Sequence, residues 1–82
     1  MTEEKVRRII NYSKDLGLAL SIVFSVNEVQ KEEYIDFNSL YFHDVWIVND
    51  EELMLHDEIN RRWITISIDK IKSIRIYEKV II

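Results

Sequence analysis

The 82-residue chain contains no cysteine, so it can form neither disulfide bonds nor thiolate metal sites. Small secreted domains usually depend on disulfides, and the composition therefore favours a reducing compartment, so we expect a cytoplasmic protein. No apolar run approaches the roughly 20 residues of a membrane-spanning helix. The chain opens on acidic residues instead of the apolar core of a signal peptide. We expect a soluble protein with no membrane partner.

Proline is also absent, and Gly17 is the only glycine. Turns must therefore be built from Asn, Asp and Ser, which tolerate left-handed backbone or bond to their own backbone. A glycine-rich phosphate-binding loop is excluded, and so is the Gly-x-Ser-x-Gly motif of many hydrolases. We expect no catalytic residue, no enzymatic activity and no cofactor.

The first segment of the chain predicts an amphipathic helix over residues 3–15. Thr2 is the predicted N-cap, and two glutamates follow it in the first turn, where they favour the helix dipole. Gly17 is predicted to end the helix in left-handed conformation, with Leu18 as its apolar partner. The predicted apolar stripe consists of Val6, Ile9, Ile10 and Leu16.

The rest of the chain, residues 18–82, is predicted to be rich in β-structure. Period-2 alternation is clearest after Gly17, where apolar Leu, Ile and Phe alternate with small or polar residues. The polar stretch 27–33 predicts a turn or loop. The predicted strands are 18–26, 34–37, a central strand 40–48, 53–56, 63–68 and 74–82, with a 3₁₀ turn at 69–73 capped by Asp69.

These elements predict a single domain of mainly β class, or α+β by count. We expect an N-terminal helix followed by a small antiparallel barrel or a strongly bent sheet of five to six strands, because closure removes sheet edges. This layout resembles SH3-like and Sm-like barrels. The stretch 66–74 is also similar to part of bacterial pleckstrin-homology-like domains. Those domains end in a helix, whereas this chain is predicted to end in a strand, and no family is assigned.

Charge is unevenly distributed along the chain, whose net charge is −4. Residues 28–58 have a net charge of −9, whereas residues 59–82 have +4 and residues 1–27 have +1. An acidic surface attracts a basic partner. We therefore predict a non-enzymatic protein-interaction module, such as an adaptor, inhibitor or immunity-type protein. Its predicted contact residues are Asp50, Glu51, Glu52, Asp57 and Glu58, with Tyr34 and Trp46 as aromatic anchors.

Two other functions stay open at this stage. The basic segment 61–79 fits an Sm-like oligomer that binds nucleic acid, because phosphate contacts require cations. The apolar chain end at 80–82 fits a self-assembling structural subunit that adds strands edge to edge. The residues predicted for nucleic-acid binding are Arg61, Arg62, Trp63, Lys70, Lys72 and Arg75.

The aromatic residues have three possible roles. They can anchor a protein partner, stack on bases beside cations, or cover a second core beneath the helix. Trp63 is predicted on the strand face opposite Ile64 and Ile66. Covering a second core is the commonest of the three roles, and we expect it for most of these aromatic residues.

Two His-Asp pairs, at 43–44 and 56–57, resemble part of a metal site. Two histidines and a carboxylate can bind a metal ion if their strands pair across the turn at 49–50. A polar pair on the solvent face is the simpler interpretation, and we predict no metal site.

Overall fold

The structure is a computed structural model that describes residues 1–38, 44–57 and 60–77. Its described elements are one α-helix, six strands and a 3₁₀ turn, which confirms the mainly β prediction. No helix in these ranges is both long and apolar enough to cross a membrane. The elements are α1 (Glu3–Leu16), β1 (Ala19–Val26), β2 (Val29–Asp36), β3 (Asp44–Val48), β4 (Glu52–Asp57), β5 (Arg62–Ser67), the 3₁₀ turn (Ile68–Lys70) and β6 (Ile71–Tyr77).

Helix α1 begins at the predicted N-cap. The Thr2 hydroxyl oxygen accepts a hydrogen bond from the Lys5 backbone N–H at 3.3 Å, which satisfies one of the free amides of the first turn. Val6 and Ile10 are buried in the core. Leu16, by contrast, is 57% exposed, so the predicted apolar stripe ends before the last residue of the helix.

The helix ends at the only glycine, as predicted. Gly17 has a φ of 63°, and its N–H donates to the Lys14 carbonyl at 3.2 Å. The Leu18 N–H donates to the Ser13 carbonyl at 2.9 Å. This pair of bonds is the Schellman motif, in which a left-handed residue reverses the chain and satisfies the last carbonyls.

The strands form two antiparallel sheets of three, in the orders β2-β1-β6 and β3-β4-β5. Strands β1 and β4 are therefore the central ones. The predicted central strand at 40–48 overlaps β3, which pairs with β4 and with no other strand in the described part of the chain. Strand β3 has apolar residues on both faces because Trp46, whose side chain is half exposed, lies on the outer face. Residues 40–43 of that prediction lie outside the described part of the chain.

The polar stretch predicted as a loop at 27–33 is mostly strand. Only Asn27 and Glu28 form the turn, with φ values of 49° and 66°, and β2 starts at Val29. Two central residues with positive φ are typical of a type I′ turn, whose twist matches that of paired strands. The two-residue turn sets the register between β1 and β2. Strand β2 therefore forms although most of its residues are exposed.

The 3₁₀ turn and the final strand both begin earlier than predicted. Ser67 is at the N-cap of the turn and makes no side-chain cap bond, so the predicted cap Asp69 lies within the turn. Strand β6 starts at Ile71, and a register shift opposite Val23 and Phe24 allows both Ile71 and Ile74 to contact the core. Residues 78–82, including the predicted apolar chain end, lie outside the described part.

One hydrophobic core joins the helix and both sheets. Its members come from the inward positions of α1, the strands and the 3₁₀ turn. The core consists of Val6, Ile10, Leu20, Ile22, Phe24, Ile35, Phe37, Val45, Leu53, Leu55, Ile66, Ile68 and Ile71. The described outward side chains of the β3-β4-β5 sheet are exposed or half-buried, whereas Ser21 on the outer face of β1 is buried.

Candidate interaction surface

The outer face of the β3-β4-β5 sheet carries large side chains that the core does not use. Strand β4 alternates strictly, with Leu53 and Leu55 buried and Glu52, Met54 and His56 partly exposed. Side chains at alternate positions point to opposite faces of a sheet. We call the outward set Trp46, Glu52, Met54, His56 and Trp63 the tryptophan face.

Two indole rings meet across the central strand of this face. The ring centroids of Trp46 and Trp63 are 5.1 Å apart, with 31° between the ring planes. Trp46 is opposite Met54 and Trp63 is opposite His56, so the two rings meet diagonally over β4. Trp46 is 48% exposed and Trp63 is 53% exposed. Neither ring covers a second core beneath the helix, which leaves both for outside contacts.

An acidic cleft adjoins the tryptophan face. This open cleft of about 650 Å³ lies between the helix N-terminus, the β3–β4 turn and the 3₁₀ turn. Glu52 lines the cleft and also belongs to the tryptophan face, so the two surfaces are continuous. The cleft is lined by Met1, Glu3, Asp50, Glu51, Glu52, Ser67, Ile68 and Asp69.

Backbone bonds hold the acidic β3–β4 turn in place. Asn49 and Asp50 have φ values of 54° and 56°, and the Glu51 N–H donates to the Val48 carbonyl at 3.2 Å. The Glu51 carbonyl in turn accepts the Ile68 N–H at 2.9 Å. The turn is tight although it has no glycine, because Asn and Asp tolerate left-handed backbone. The carboxylates of the turn are therefore presented on a fixed backbone.

Arg7 connects the helix to this turn. Its guanidinium is 2.6 Å from the Glu3 carboxylate and 3.0 Å from that of Asp50. The hydrogen bond to Glu3 is the main reason that the pKa of Arg7 lies above its usual value, with the charges of Glu3 and Asp50 adding to it. Asp50 is thus partly neutralised from within the chain, whereas Glu51 and Glu52 have no ion pair with another described residue.

Asp57 lies apart from the other predicted acidic contacts. It is only 8% exposed, and its carboxylate accepts hydrogen bonds from the Asn60 N–H at 3.2 Å and the Asn60 side-chain amide at 2.8 Å. Arg62 donates to it at 3.3 Å. Asp57 therefore stabilises the connection between β4 and β5, and we do not include it in the interaction surface. Glu58 lies outside the described residues.

Tyr34, the second predicted anchor, is on the other sheet. Its ring centroid is 6.1 Å from that of Tyr77, and the Arg75 guanidinium lies 5.8 Å from the Tyr77 ring centroid. The two tyrosines meet diagonally across β1, where their partners are the small residues Ala19 and Ser21. Tyr34 and Trp46 therefore belong to separate surfaces.

The residues predicted for nucleic-acid binding do not meet at one place. Arg61 is in the β4–β5 turn, and Arg62 pairs with Asp57 and, at 3.5 Å, with Glu33 of β2. Trp63 belongs to the tryptophan face. Lys70 and Lys72 line a second cleft of about 740 Å³. Arg75 lies beside Tyr77 on the first sheet.

The His-Asp hypothesis is tested only in part. Asp44 is opposite His56 in the β3–β4 register, and the His56 ring lies 4.7 Å from Trp63. His43 is outside the described residues. Within the described ranges, no group of three or more His, Asp or Glu side chains is placed to hold a metal ion.

Sequence reasoning did not place Trp63, Met54 and Asp69 in the same region as the acidic turn. The alternation of β5 correctly put Trp63 opposite the isoleucines. Its contact with Trp46 depends on the pairing of both strands with β4, which no local pattern shows.

Comparisons of the chain with protein-family models, with curated proteins and with solved structures found no match. The function of the protein must therefore be inferred from its own residues and their geometry.

Proposed function

We propose that this protein is a non-enzymatic interaction module that binds a basic protein partner through the tryptophan face and the acidic cleft. The observation that carries the proposal is the pair of half-exposed tryptophans, Trp46 and Trp63, beside a cleft rich in carboxylates. Tryptophan is enriched among residues that dominate binding energy, because it buries a large rigid surface at little entropic cost.

Charge complementarity supports a basic partner. The middle segment, residues 28–58, has a net charge of −9, and its turn at Asp50 and Glu51 forms one wall of the cleft. Such a field increases the association rate of a cationic surface and disfavours acidic partners. The indole pair then supplies apolar contact area that surface ion pairs alone do not provide.

The first test is a selection of peptides from an unbiased displayed library on the immobilised full chain. We expect the enriched peptides to be rich in Lys and Arg, and their binding to weaken steeply with salt. Trp46 and Trp63 are the only tryptophans of the chain, so a bound peptide should also change the tryptophan emission spectrum.

Matched variants locate the binding surface. We expect Trp46→Leu, Trp63→Leu and the double change Glu51→Gln with Glu52→Gln to weaken the selected peptides. Tyr34→Leu removes an aromatic residue of similar exposure, 56%, from the other sheet and should leave binding unchanged. Enrichment of neutral or acidic peptides, or equal binding by all of these variants, would contradict the proposal.

A second candidate function rests on the tyrosine pair. Tyr34 and Tyr77, with Arg75 beside them, combine aromatic rings and a cation in the way that single-stranded nucleic acid is stacked. We rank it second because the other predicted cations lie elsewhere and the net charge is −4. Fluorescence anisotropy with a labelled single-stranded RNA tests it. Binding that falls with Arg75→Gln and Tyr34→Leu supports this function, and absence of binding at low salt excludes it.

We also propose that the two sheets belong to a partly open SH3-like barrel, in which closure brings β2 next to β3. The 3₁₀ turn that carries the chain from β5 of one sheet to β6 of the other supports this, as does the shared core. Nuclear Overhauser contacts between the backbones of β2 and β3 would establish closure. Their absence would favour two sheets packed face to face.

A further inference from the structure

The tryptophan face has a carboxylate next to Trp46, on the side away from Trp63. Glu52 precedes Met54 by two residues on β4, and Met54 is opposite Trp46. Such diagonal neighbours on one face of a sheet are about 7–8 Å apart between their Cα atoms. Glu52 is partly buried and has no side-chain hydrogen bond or ion pair with another described residue. An aromatic surface and an acceptor thus lie within reach of a single long side chain.

The first sheet shows what such a surface binds within this same chain. There, the Arg75 guanidinium lies 5.8 Å from the centroid of the Tyr77 ring, and the Tyr77 ring pairs with that of Tyr34. The tryptophan pair has the same diagonal arrangement across a central strand. Within the described residues, no Lys or Arg side chain lies over either indole. This leaves the better of the two aromatic surfaces for an outside cation, since tryptophan attracts cations more strongly than tyrosine.

We propose that the partner's anchor residue is an arginine, whose guanidinium stacks on the indole of Trp46 and pairs with the Glu52 carboxylate. Arginine suits this site because its planar cation stacks on an aromatic ring and presents a fork of N–H groups to a carboxylate. It is also more weakly hydrated than lysine, which reduces the desolvation cost at a half-exposed surface. The inference rests on the proposed function and names the chemistry of the partner.

The test compares three capped tripeptides, acetyl-Gly-Xaa-Gly-amide, in which Xaa is arginine, lysine or citrulline. Citrulline has nearly the shape of arginine without its charge. Each peptide is titrated into the ¹⁵N-labelled full chain, and the two indole N–H signals are followed by NMR. We expect saturable shifts of both signals with arginine, about threefold weaker binding with lysine, and no binding with citrulline. Glu52→Gln should reduce the preference for arginine over lysine, whereas Asp15→Asn, a charge change on the helix, should not.

A longer all-lysine peptide separates this inference from the proposed function. If that peptide shifts the indole signals but arginine shows no advantage over lysine or citrulline, the arginine anchor is wrong while the basic partner stands. If neither the arginine tripeptide nor the lysine peptide shifts the indole signals at low salt, both proposals are wrong. An unchanged arginine preference in Glu52→Gln removes Glu52 from the anchor site.

Discussion

Trp46 and Trp63 are in contact although their strands do not pair with each other, because both rings extend over the central strand β4 from opposite sides. The contact therefore depends on the register of β3 and of β5 relative to β4. It also concentrates all tryptophan of the chain at one exposed site, which makes that site directly observable by fluorescence.

The tryptophan pair should contribute a measurable coupling energy. We expect urea unfolding of Trp46→Leu, Trp63→Leu and the double variant to give a coupling of about 0.5–1 kcal/mol, typical of aromatic and cross-strand pairs. A parallel cycle of Trp46 with Tyr34, which lies on the other sheet, should be additive within about 0.5 kcal/mol. Additivity in the first cycle would show that the two rings do not interact.

Substitution of Gly17 should lower stability because its left-handed backbone disfavours other residues, and not because a side chain would be crowded. Its φ is 63°, and a Cβ added there would meet Asn38 at 3.6 Å, an ordinary contact distance. We expect Gly17→Ala to lower the free energy of unfolding by about 1–2 kcal/mol, and Gly17→Asn to cost less, since Asn tolerates left-handed backbone. Thermal unfolding of the two variants measures this, and an equal or greater loss with Asn would contradict the explanation.

Asp57 should matter for stability and not directly for binding. Its buried carboxylate accepts hydrogen bonds from Asn60 and Arg62, so Asp57→Ala leaves these donors without their partner. We expect a loss of about 1–3 kcal/mol in the free energy of unfolding. Glu51→Gln, a change at an exposed carboxylate, should have little effect on stability and serves as the control. Wild-type stability of Asp57→Ala would show that the turn does not need this carboxylate.

Arg7 should compete with a basic partner for the acidic cleft. Because it pairs with Asp50, we expect Arg7→Gln to lower the Kd of a selected basic peptide by a factor of about two to five, within the range of one exposed charge pair. The gain should shrink as salt rises. Arg8→Gln makes the same charge change, but Arg8 pairs with Glu4 on its own helix at 3.1 Å. Equal gains from both variants, measured by tryptophan emission, would indicate a general charge effect instead.

Local signals in the sequence were sufficient for several elements. The helix and both of its caps follow from Thr2, the apolar spacing and the single glycine, because capping depends on residues within one turn. Strand β1 and the outward position of Trp63 follow from period-2 alternation. Only the end of β2 followed, as the predicted strand 34–37. Its first part was predicted as a loop because its polar residues have low β-propensity, and pairing with β1 forms it nonetheless.

The sequence alone determined the class of the protein, the helix with its ends, the uneven charge and the absence of any nucleophile or phosphate-loop motif. Only the tertiary structure decided which of the charged residues and which of the aromatic residues lie together on one surface. It placed Tyr34 and Trp46 on separate sheets and buried Asp57 at the end of β4, where it bonds to Asn60. It also brought Trp63 into contact with Trp46 and placed Asp69 at the acidic cleft. The physical reason is that such contacts join residues far apart in sequence, and strand pairing and register fix them where local patterns cannot.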